Sequence, residues 1–419
     1  MFKRIPGTKD ILPDESLLWQ SIEEVSRRTF SLYNYKEVRP PILEDASLFN
    51  RSLGESAEIV QKQLFLIKNK EDLYALRPEG TASVVRAYIE NSLDKTNGFI
   101  KLYYIGPMFR FERPQKGRLR QFHHIGVEVI GSKDPALDAE VISLADNLLK
   151  SYNIGGYTIK LNSLGCPKDK SALTENLRKQ LKGSLERLCP DCVLRFKNNP
   201  LRILDCKNDA CKVVLSGIEI SDAHLCPECK EHFRKVKAGL DKLGVKYEVV
   251  PSLVRGLDYY TGTVFEISHT GLGSQDALGA GGRYNNLVQE LGGPDAGAIG
   301  FAFGVERLLL VVKPEDRREA NNCLAYLITL GDEARLPGLK LLDDLRSNGI
   351  ITDMDYEGKS LKAAMRKAND LGACCVLILG EDELKNNVVT LKNMSSGEQK
   401  QIKTPQLIAE FKDKGSGLC

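Results

Sequence analysis

The chain has 419 residues, 42% hydrophobic and 27% charged, with 59 Lys and Arg against 56 Asp and Glu for a net charge of +3. That length suits about two to four domains with ample core, so neither a disulfide nor a metal is needed merely to fold. No apolar run approaches the roughly 18 residues of a membrane span, and the start, Met1-Phe2-Lys3-Arg4-Ile5-Pro6-Gly7, shows no apolar leader. A cytoplasmic protein without a membrane partner is expected. The small net charge excludes no other partner, because an enzyme of polyanions can gather its positive charge in one cleft.

Asp14 precedes an apolar stripe (Leu18, Ile22, Val25, Thr29), which predicts a helix capped by Asp14 and ending near Asn34. Lys36 to Arg39 reads as a short strand stopped by Pro40-Pro41. Leu64 to Ile67 and Leu73 to Leu76 flank a polar turn and predict a hairpin. Thr81 is a candidate cap for a helix through Tyr88. Strand-like runs follow at Phe99 to Ile105, Met108 to Glu112 and Gln121 to Ile130, the last two separated by basic Arg113 to Arg120. Consecutive strands of this kind imply an antiparallel sheet, not a doubly wound parallel one.

Residues 165–245 change character. They are Lys-rich, hold seven of the eleven Cys and show helical patterns, so they read as an insertion into a domain formed by 1–164 and 246–313. Strands resume at Tyr247 to Val250 and Thr263 to Ser268. A glycine-rich stretch, Gly271 to Gly297, leads to a strand at Ala298 to Phe303 and a helix at Gly304 to Val312. Residues 314–322 read as a hydrophilic linker. Beyond them, 323–419 follow a β-α-β-α-β pattern, a small α/β domain. The overall class is α+β.

Chemistry concentrates at strand ends. Arg110 to Arg120 packs five cations against one acid, a composition that suits phosphates because Arg offers a planar fork. It also suits a solvated hairpin tip. Arg77-Pro78-Glu79-Gly80-Thr81, Arg255-Gly256-Leu257-Asp258-Tyr259-Tyr260 and Gly304-Val305-Glu306-Arg307 lie at other strand ends, each with Gly beside Arg. Together they suggest one polyanion site. Gly279 to Gly282 match neither a P-loop nor a dinucleotide fingerprint and would let a ligand approach the backbone.

The cysteines pose a separate question. An odd count in a chain without a secretion signal argues against disulfides. Cys189-Pro190-Asp191-Cys192 and Cys226-Pro227-Glu228-Cys229 form paired C-x2-C knuckles, with Cys206 and Cys211 between them, a tetrahedral zinc pattern. A structural Zn2+ held by Cys189, Cys192, Cys226 and Cys229 is one reading and reduced, partly buried thiols the other. Cys374 and Cys375 read as core thiols. His123, His224, His232 and His269 have no catalytic or metal-ligand spacing of their own and read as structural, with His224 beside Cys226 an alternative ligand.

The set of motifs resembles the class II aminoacyl-tRNA synthetases, in particular the histidyl-tRNA synthetase family. Val38-Arg39-Pro40-Pro41 to Phe49, Gly106 to Glu128 and Gly300 to Arg307 resemble the three class II motifs. Arg255 to Glu266 and Ala280-Gly281-Gly282-Arg283-Tyr284-Asn285-Asn286-Leu287 resemble the two histidine-specific signatures. The resemblance implies an antiparallel catalytic sheet flanked by helices, a C-terminal anticodon-binding domain and a homodimer built on the first motif. It also implies histidine, ATP with Mg2+ and histidine tRNA as substrates. By resemblance, Arg110 holds the carboxylate and α-phosphate, Arg255 faces that phosphate from the other side, and Arg307 meets the γ-phosphate. Glu112 reads the adenine. Glu79, Gly80 and Thr81 line the ammonium site, and Glu128 and Tyr260, beside Tyr259, meet the imidazole. Arg113 and Gln115 face the tRNA acceptor end.

Two positions depart from the family pattern. His124 stands where Gln is usual; a protonated imidazole would repel the substrate ammonium, which predicts weaker histidine binding at low pH. Asn285 stands where Asp is frequent. A non-catalytic relative that binds histidine or tRNA is the rival reading, but such relatives lose a phosphate-binding Arg or the C-terminal domain, and this chain keeps both. A zinc-dependent nucleic-acid-binding protein would leave the arginines unexplained.

Overall fold

A computed structural model describes residues 2–54, 57–96, 98–115, 117–273, 276–312 and 323–414. The chain forms two compact units, Met1–Arg318 and Glu319–Cys419. The expected linker, 314–322, lies outside the described residues.

The first unit begins with α1 (Pro13–Leu32). Asp14 is not its cap. Leu12 holds the N-cap position and Pro13 opens the helix, where its missing N–H costs nothing, while Asp14 and Glu15 complement the positive helix end from the first turn. β1 (Lys36–Glu37), β2 (Leu43–Asp45) and α2 (Ala46–Leu53) follow, then the hairpin of β3 (Phe65–Asn69) and β4 (Asp72–Leu76). After α3 (Thr81–Glu90) and the short α4 (Leu93–Thr96), β5 (Ile100–Phe109) pairs with β6 (Gln121–Ile130) along its whole length. The two runs expected before Arg113 are thus one strand through Gly106-Pro107. Pro107 is tolerated because β1 covers the outer edge of β5 only at Leu102 and Tyr103, so no ladder bond on that edge needs its N–H.

Next come α5 (Pro135–Ser151), β7 (Tyr157–Ser163) and the insertion, with helices α6 (Pro167–Leu181), α7 (Pro190–Asn198), α8 (Asp209–Leu215) and α9 (Pro227–Leu243). The chain then returns through β8 (Glu248–Val249), β9 (Thr261–His269), β10 (Ala277–Arg283), α10 (Leu287–Glu290), β11 (Ala298–Gly304) and α11 (Val305–Val311). The main sheet runs β1-β5-β6-β11-β10-β9-β7-β8 and is antiparallel except at its two outermost pairs. The glycine-rich stretch therefore contains a central strand. A Cβ at Gly281 would stand 2.3 Å from the Gly300 carbonyl and 2.7 Å from the Phe265 ring. Packing keeps side chains out of β10, which removes the β-branched signal that marks a strand.

Helix α5 packs Val141, Ile142, Leu144, Leu148 and Leu149 in the same core as Val127, Val129 and Phe301 of β6 and β11. Phe233, Val236 and Leu240 of α9 join that core, and Leu173, Leu177 and Leu181 of α6 join a second one with Phe49, Tyr88, Val264 and Tyr284. The insertion thus shares its apolar interior with the sheet. A fully buried ion pair strengthens this seam: Arg283 Nη2 lies 2.6 Å from one carboxylate oxygen of Asp138, and the other meets His232 Nε2 of α9 at 3.0 Å.

The second unit carries β12 (Ala325–Thr329), α12 (Arg335–Ser347), β13 (Thr352–Met354), α13 (Leu361–Asp370), β14 (Cys375–Leu379), α14 (Glu381–Asn386), β15 (Val388–Asn393), β16 (Gln399–Lys403) and α15 (Leu407–Lys414). Its sheet runs β13-β12-β14-β15-β16, parallel among the first three strands and antiparallel among the last three. The expectation of no disulfide is corrected here. Cys323 and Cys374 enter adjacent parallel strands with Cα atoms 5.5 Å apart and are bonded, a separation within bridging reach. Cys375, the next residue, is a buried thiol.

Removing Arg283 would strand the Asp138 carboxylate in the core with His232 as its remaining partner. Arg283→Ala is expected to destabilise the first unit by about 3–5 kcal/mol, read as a lower urea midpoint; an unchanged midpoint would show that the pair contributes nothing.

Candidate active site

One cleft, a cavity of about 240 Å³, opens where β5, β6, β10 and β11 meet the loops before β9 and β6. That is far beyond the roughly 10–15 Å³ one water needs. Arg110, Arg118, Arg255 and Arg307 all line it. Arg110, just past β5, donates through Nε to the Pro78 carbonyl at 2.9 Å and lies 5.3 Å over the Phe122 ring. Arg307, in the first turn of α11, donates to the carbonyls of Gly117 at 3.1 Å and Ala277 at 2.5 Å. Arg118 pairs with the buried Glu112. Burial pulls Arg110, Arg118 and Arg307 below the ordinary guanidinium range, and each is pulled further by a neighbouring arginine. A guanidinium remains charged there, so mutually repelling cations are held in place by backbone carbonyls. Such a cluster suits an anion with several negative oxygens.

Arg255 faces the cluster from the loop before β9 and pairs with Glu266 at 2.8 Å. Its Nε is buried without a hydrogen-bond partner among the described residues, which leaves it a donor for a ligand. On the phosphate question the sequence reading of Arg77 is corrected: it is buried and turned toward the Pro40 and Pro107 carbonyls at 2.8 and 2.9 Å, where it ties the first motif to β5. Arg120 likewise serves the fold, reaching the carbonyls of Glu112 and Pro6.

A polar network stands behind the cleft wall at Thr81, Tyr104 and Tyr284. Glu128, on β6, is 1% exposed and so is not the solvent-facing residue that alternation allows. Its Oε1 accepts from the Thr81 hydroxyl at 2.7 Å and Oε2 from the Tyr284 hydroxyl at 2.5 Å. Burial pushes this carboxyl up to about 8, with the Glu79 carboxylate adding to the effect and the two hydroxyls opposing it. The register makes the contact feasible: Glu128 stands opposite Gly300, and Gly300 opposite Gly282. A Cβ on Gly300 would lie 2.0 Å from Glu128 Oε2, so glycine on the intervening strand lets Glu128 reach Tyr284 two strands away.

Thr81 is not the cap of α3. Gly80 occupies that position, and the Glu79 carboxylate accepts the Thr81 and Ala82 N–H groups at 2.7 and 2.8 Å. This frees the Thr81 hydroxyl for Glu128. Burial raises the Glu79 pKa, opposed by those same N–H groups. Gly80 is required because a Cβ there would stand 2.3 Å from the Tyr104 ring. Tyr259 and Tyr260 complete the wall, their rings 4.7 Å apart.

His124 lines the cleft, and its Nδ1 is buried without a partner among the described residues. Burial, then Arg110, Arg307 and Arg77, depress its pKa to about 3. The imidazole is therefore neutral at any working pH, and the expected repulsion of an ammonium at low pH is corrected. His123 instead meets the Glu306 carboxylate through its backbone N–H and Nδ1, both at 3.0 Å. Asn285 accepts from Arg283 and from the Ala298 N–H, each at 3.1 Å.

Of the residues singled out from sequence, Glu79, Thr81, Arg110, Glu112, His124, Arg255, Tyr259, Tyr260 and Arg307 share the cleft lining. Arg113 and Gln115 are exposed on the loop before β6 and do not line it. Tyr104, Arg118 and Tyr284 were given no role from sequence. Tyr284 sits in the second histidine-like signature, a signal within reach; nothing local marks Tyr104. The four-cysteine grouping is also corrected. Cys189 and Cys192 gather with Cys206 and Cys211, whereas Cys226 and Cys229 gather with Cys166 and Asp169.

Comparison with known proteins agrees with this geometry. A family model described as histidyl-tRNA synthetase matches residues 7–308, and one described as anticodon binding domain matches residues 325–414. A histidine–tRNA ligase of Halothermothrix orenii is 47% identical over 97% of both chains, and one of Thermosipho melanesiensis is 45% identical over 99% of both. The crystal structure of apo histidyl-tRNA synthetase from S. aureus superposes with a TM-score of 0.80 at 38% identity, covering 98% of this chain and all of that one. With its antiparallel catalytic sheet, buried arginine cluster and C-terminal α/β anticodon-binding domain, this chain belongs to the histidyl-tRNA synthetase family of class II enzymes, which ligate histidine to its tRNA in an ATP-dependent reaction.

Proposed function

We propose that the cleft activates histidine by in-line attack of its carboxylate on the α-phosphate of ATP. A carboxylate oxygen bonds to phosphorus as the bond to the β-bridging oxygen breaks, and pyrophosphate leaves. No protein nucleophile takes part; positioning and cations aimed at the developing charge supply the catalysis. The observation that carries this reading is the convergence of Arg110, Arg255 and Arg307 on one cavity beside a buried, hydrogen-bonded Glu128. Arg110 and Arg255 flank the α-phosphate, Arg307 takes the γ-phosphate and Glu112 the adenine. ATP brings Mg2+ on its phosphates, and Glu306 is a carboxylate of that lining able to complete its shell.

The amino acid fits the polar end. Glu79, the Gly80–Thr81 turn and the His124 imidazole accept from its ammonium. Glu128 and Tyr260, supported by Tyr259, meet the two nitrogens of the imidazole, one donor and one acceptor. The 3′ hydroxyl of histidine tRNA then attacks the adenylate carbonyl and releases AMP, with the exposed Arg113 and Gln115 meeting the acceptor end. A homodimer is supported by the apolar exposure of the β2-β4-β3 sheet, where Leu66 is 52% exposed with Leu43, Ile67 and Leu73 beside it. A cytoplasmic setting follows from the reaction; among the described residues no helix is long and apolar enough to cross a membrane.

Histidine-dependent exchange of labelled pyrophosphate into ATP tests the activation step. Arg255→Ala is expected to lose about 100-fold or more; near-normal exchange would remove Arg255 from the phosphate site. Glu128→Gln is expected to raise the histidine KM about tenfold or more with the ATP KM unchanged, and equal rises in both would point to general damage. Because His124 is neutral, histidine KM profiles of wild type and His124→Gln should superimpose from about pH 6 to about pH 8.5; a loss of affinity at low pH confined to wild type would restore the repulsion.

A further inference from the structure

Three helices of the insertion open on the same local pattern. Cys166-Pro167-Lys168-Asp169 begins α6, Cys189-Pro190-Asp191-Cys192 begins α7 and Cys226-Pro227-Glu228-Cys229 begins α9. In each, Cys is the N-cap, Pro takes the first helical position, and a second ligand-type side chain follows three residues on. The pattern places two donors over one helix start, where the dipole favours anions. The α6 and α9 knuckles meet, so the ligand atoms of Cys166, Asp169, Cys226 and Cys229 all lie within 4.8 Å of one another. The α7 knuckle meets Cys206 and Cys211 within the same limit.

Every cysteine of both groups is an unbonded thiol. Thiolates about 2.3 Å from a tetrahedral zinc stand roughly 3.8 Å apart, and the Sγ atoms of Cys189 and Cys206 are 3.9 Å apart. The outer contacts also suit anionic ligands. The Cys189 N–H donates to Cys211 Sγ at 3.2 Å. The Asp169 carboxylate is oriented by the Cys226 N–H at 3.1 Å and the Cys166 N–H at 3.2 Å.

Both groups sit beside segments that grip the loop carrying Arg255, Tyr259 and Tyr260. Lys170, adjacent to Asp169, donates to the carbonyls of Asp258 at 2.8 Å and Tyr260 at 3.3 Å. Between Cys192 and Cys206, Asn199 donates to the Asp258 carboxylate at 2.8 Å and Arg202 to the Gly256 carbonyl.

We propose that the insertion binds two structural zinc ions, one at Cys189, Cys192, Cys206 and Cys211, the other at Cys166, Asp169, Cys226 and Cys229. Together they brace the 255–260 loop over the cleft. Each ion replaces the thiol protons of its cysteines, which leave to solvent. The sites stand on geometry alone; their effect on histidine rests on the assignment of the cleft to histidine.

The test is elemental analysis of the full-length protein, purified under reductant without chelator and again after reconstitution with zinc. Two equivalents per chain are expected in wild type and one in each of Cys211→Ser and Cys229→Ser. One equivalent or none in reconstituted wild type overturns the proposal. Cobalt substitution guards against misfolded variants: Asp169→Cys is expected to keep two equivalents and convert the second site to a four-thiolate visible spectrum, and an unchanged spectrum removes Asp169 from the ligand set. In pyrophosphate exchange, Cys211→Ser is expected to raise the histidine KM at least about tenfold. Loss of one equivalent with an unmoved histidine KM in that variant overturns the bracing role, and retention of both equivalents removes Cys211 from the ligand set. Full metal with no exchange in wild type would overturn the reading of the cleft and leave both metal sites standing.

Discussion

Repulsion among buried arginines is the constraint on which the architecture turns. Arg110 depresses Arg118, and both depress Arg307, while Glu112 pairs with Arg118 and Glu79 and Glu266 oppose the effect at Arg110 and Arg307. Carbonyls hold two of them in place, that of Pro78 accepting from Arg110 and those of Gly117 and Ala277 from Arg307. Those carbonyls lie on the turn before α3, on the loop before β6 and on β10. The sheet therefore serves as a frame that presents oxygen lone pairs to cations from three sides. A triphosphate entering such a site meets donors already oriented, with little reorganisation left for the reaction itself.

The same frame supports an opposite environment a few residues away. Glu128 is buried among hydroxyls and burial pushes its carboxyl up, while burial, and then the arginines, push the His124 imidazole down. The cleft thus has a cationic end and a hydrogen-bonding end rich in hydroxyls. Both oxygens of Glu128 are already engaged, by the Thr81 and Tyr284 hydroxyls. Glycine is the means of access. Gly300 removes a side chain that would collide with Glu128 Oε2, the oxygen that accepts from Tyr284.

The insertion is joined to this frame by both of its ends. α9 enters the core beneath α5 and reaches Asp138 through His232, while α6 packs into the second core and touches the 255–260 loop through Lys170. Asp138 also holds Arg283 at the end of β10. One buried carboxylate therefore connects a helix of the insertion to a strand of the cleft wall, and displacement of either would leave a charge unpaired in the core.

The sequence by itself determined the chemistry and most of the elements. Arginines beside glycine at strand ends, the hairpin around Lys68 to Asp72, the helical insertion and the α/β pattern after Ala325 are local signals, read from residue type and period. It could not determine partnership. Pro13 takes the first helical position of α1 and leaves Leu12 as its cap, and at α3 the Glu79 carboxylate accepts the N–H groups of Thr81 and Ala82. β10 was hidden because close strand packing selects glycine over strand formers. The cysteine knuckles exchanged partners and Cys374 found Cys323, since contacts between residues 51 apart depend on strand adjacency and not on spacing. Tertiary structure alone joined Glu128 to Tyr284, 156 residues away. Burial there raised the carboxyl to about 8, because the energy of a charge is set by the dielectric and the groups around it, and folding creates both.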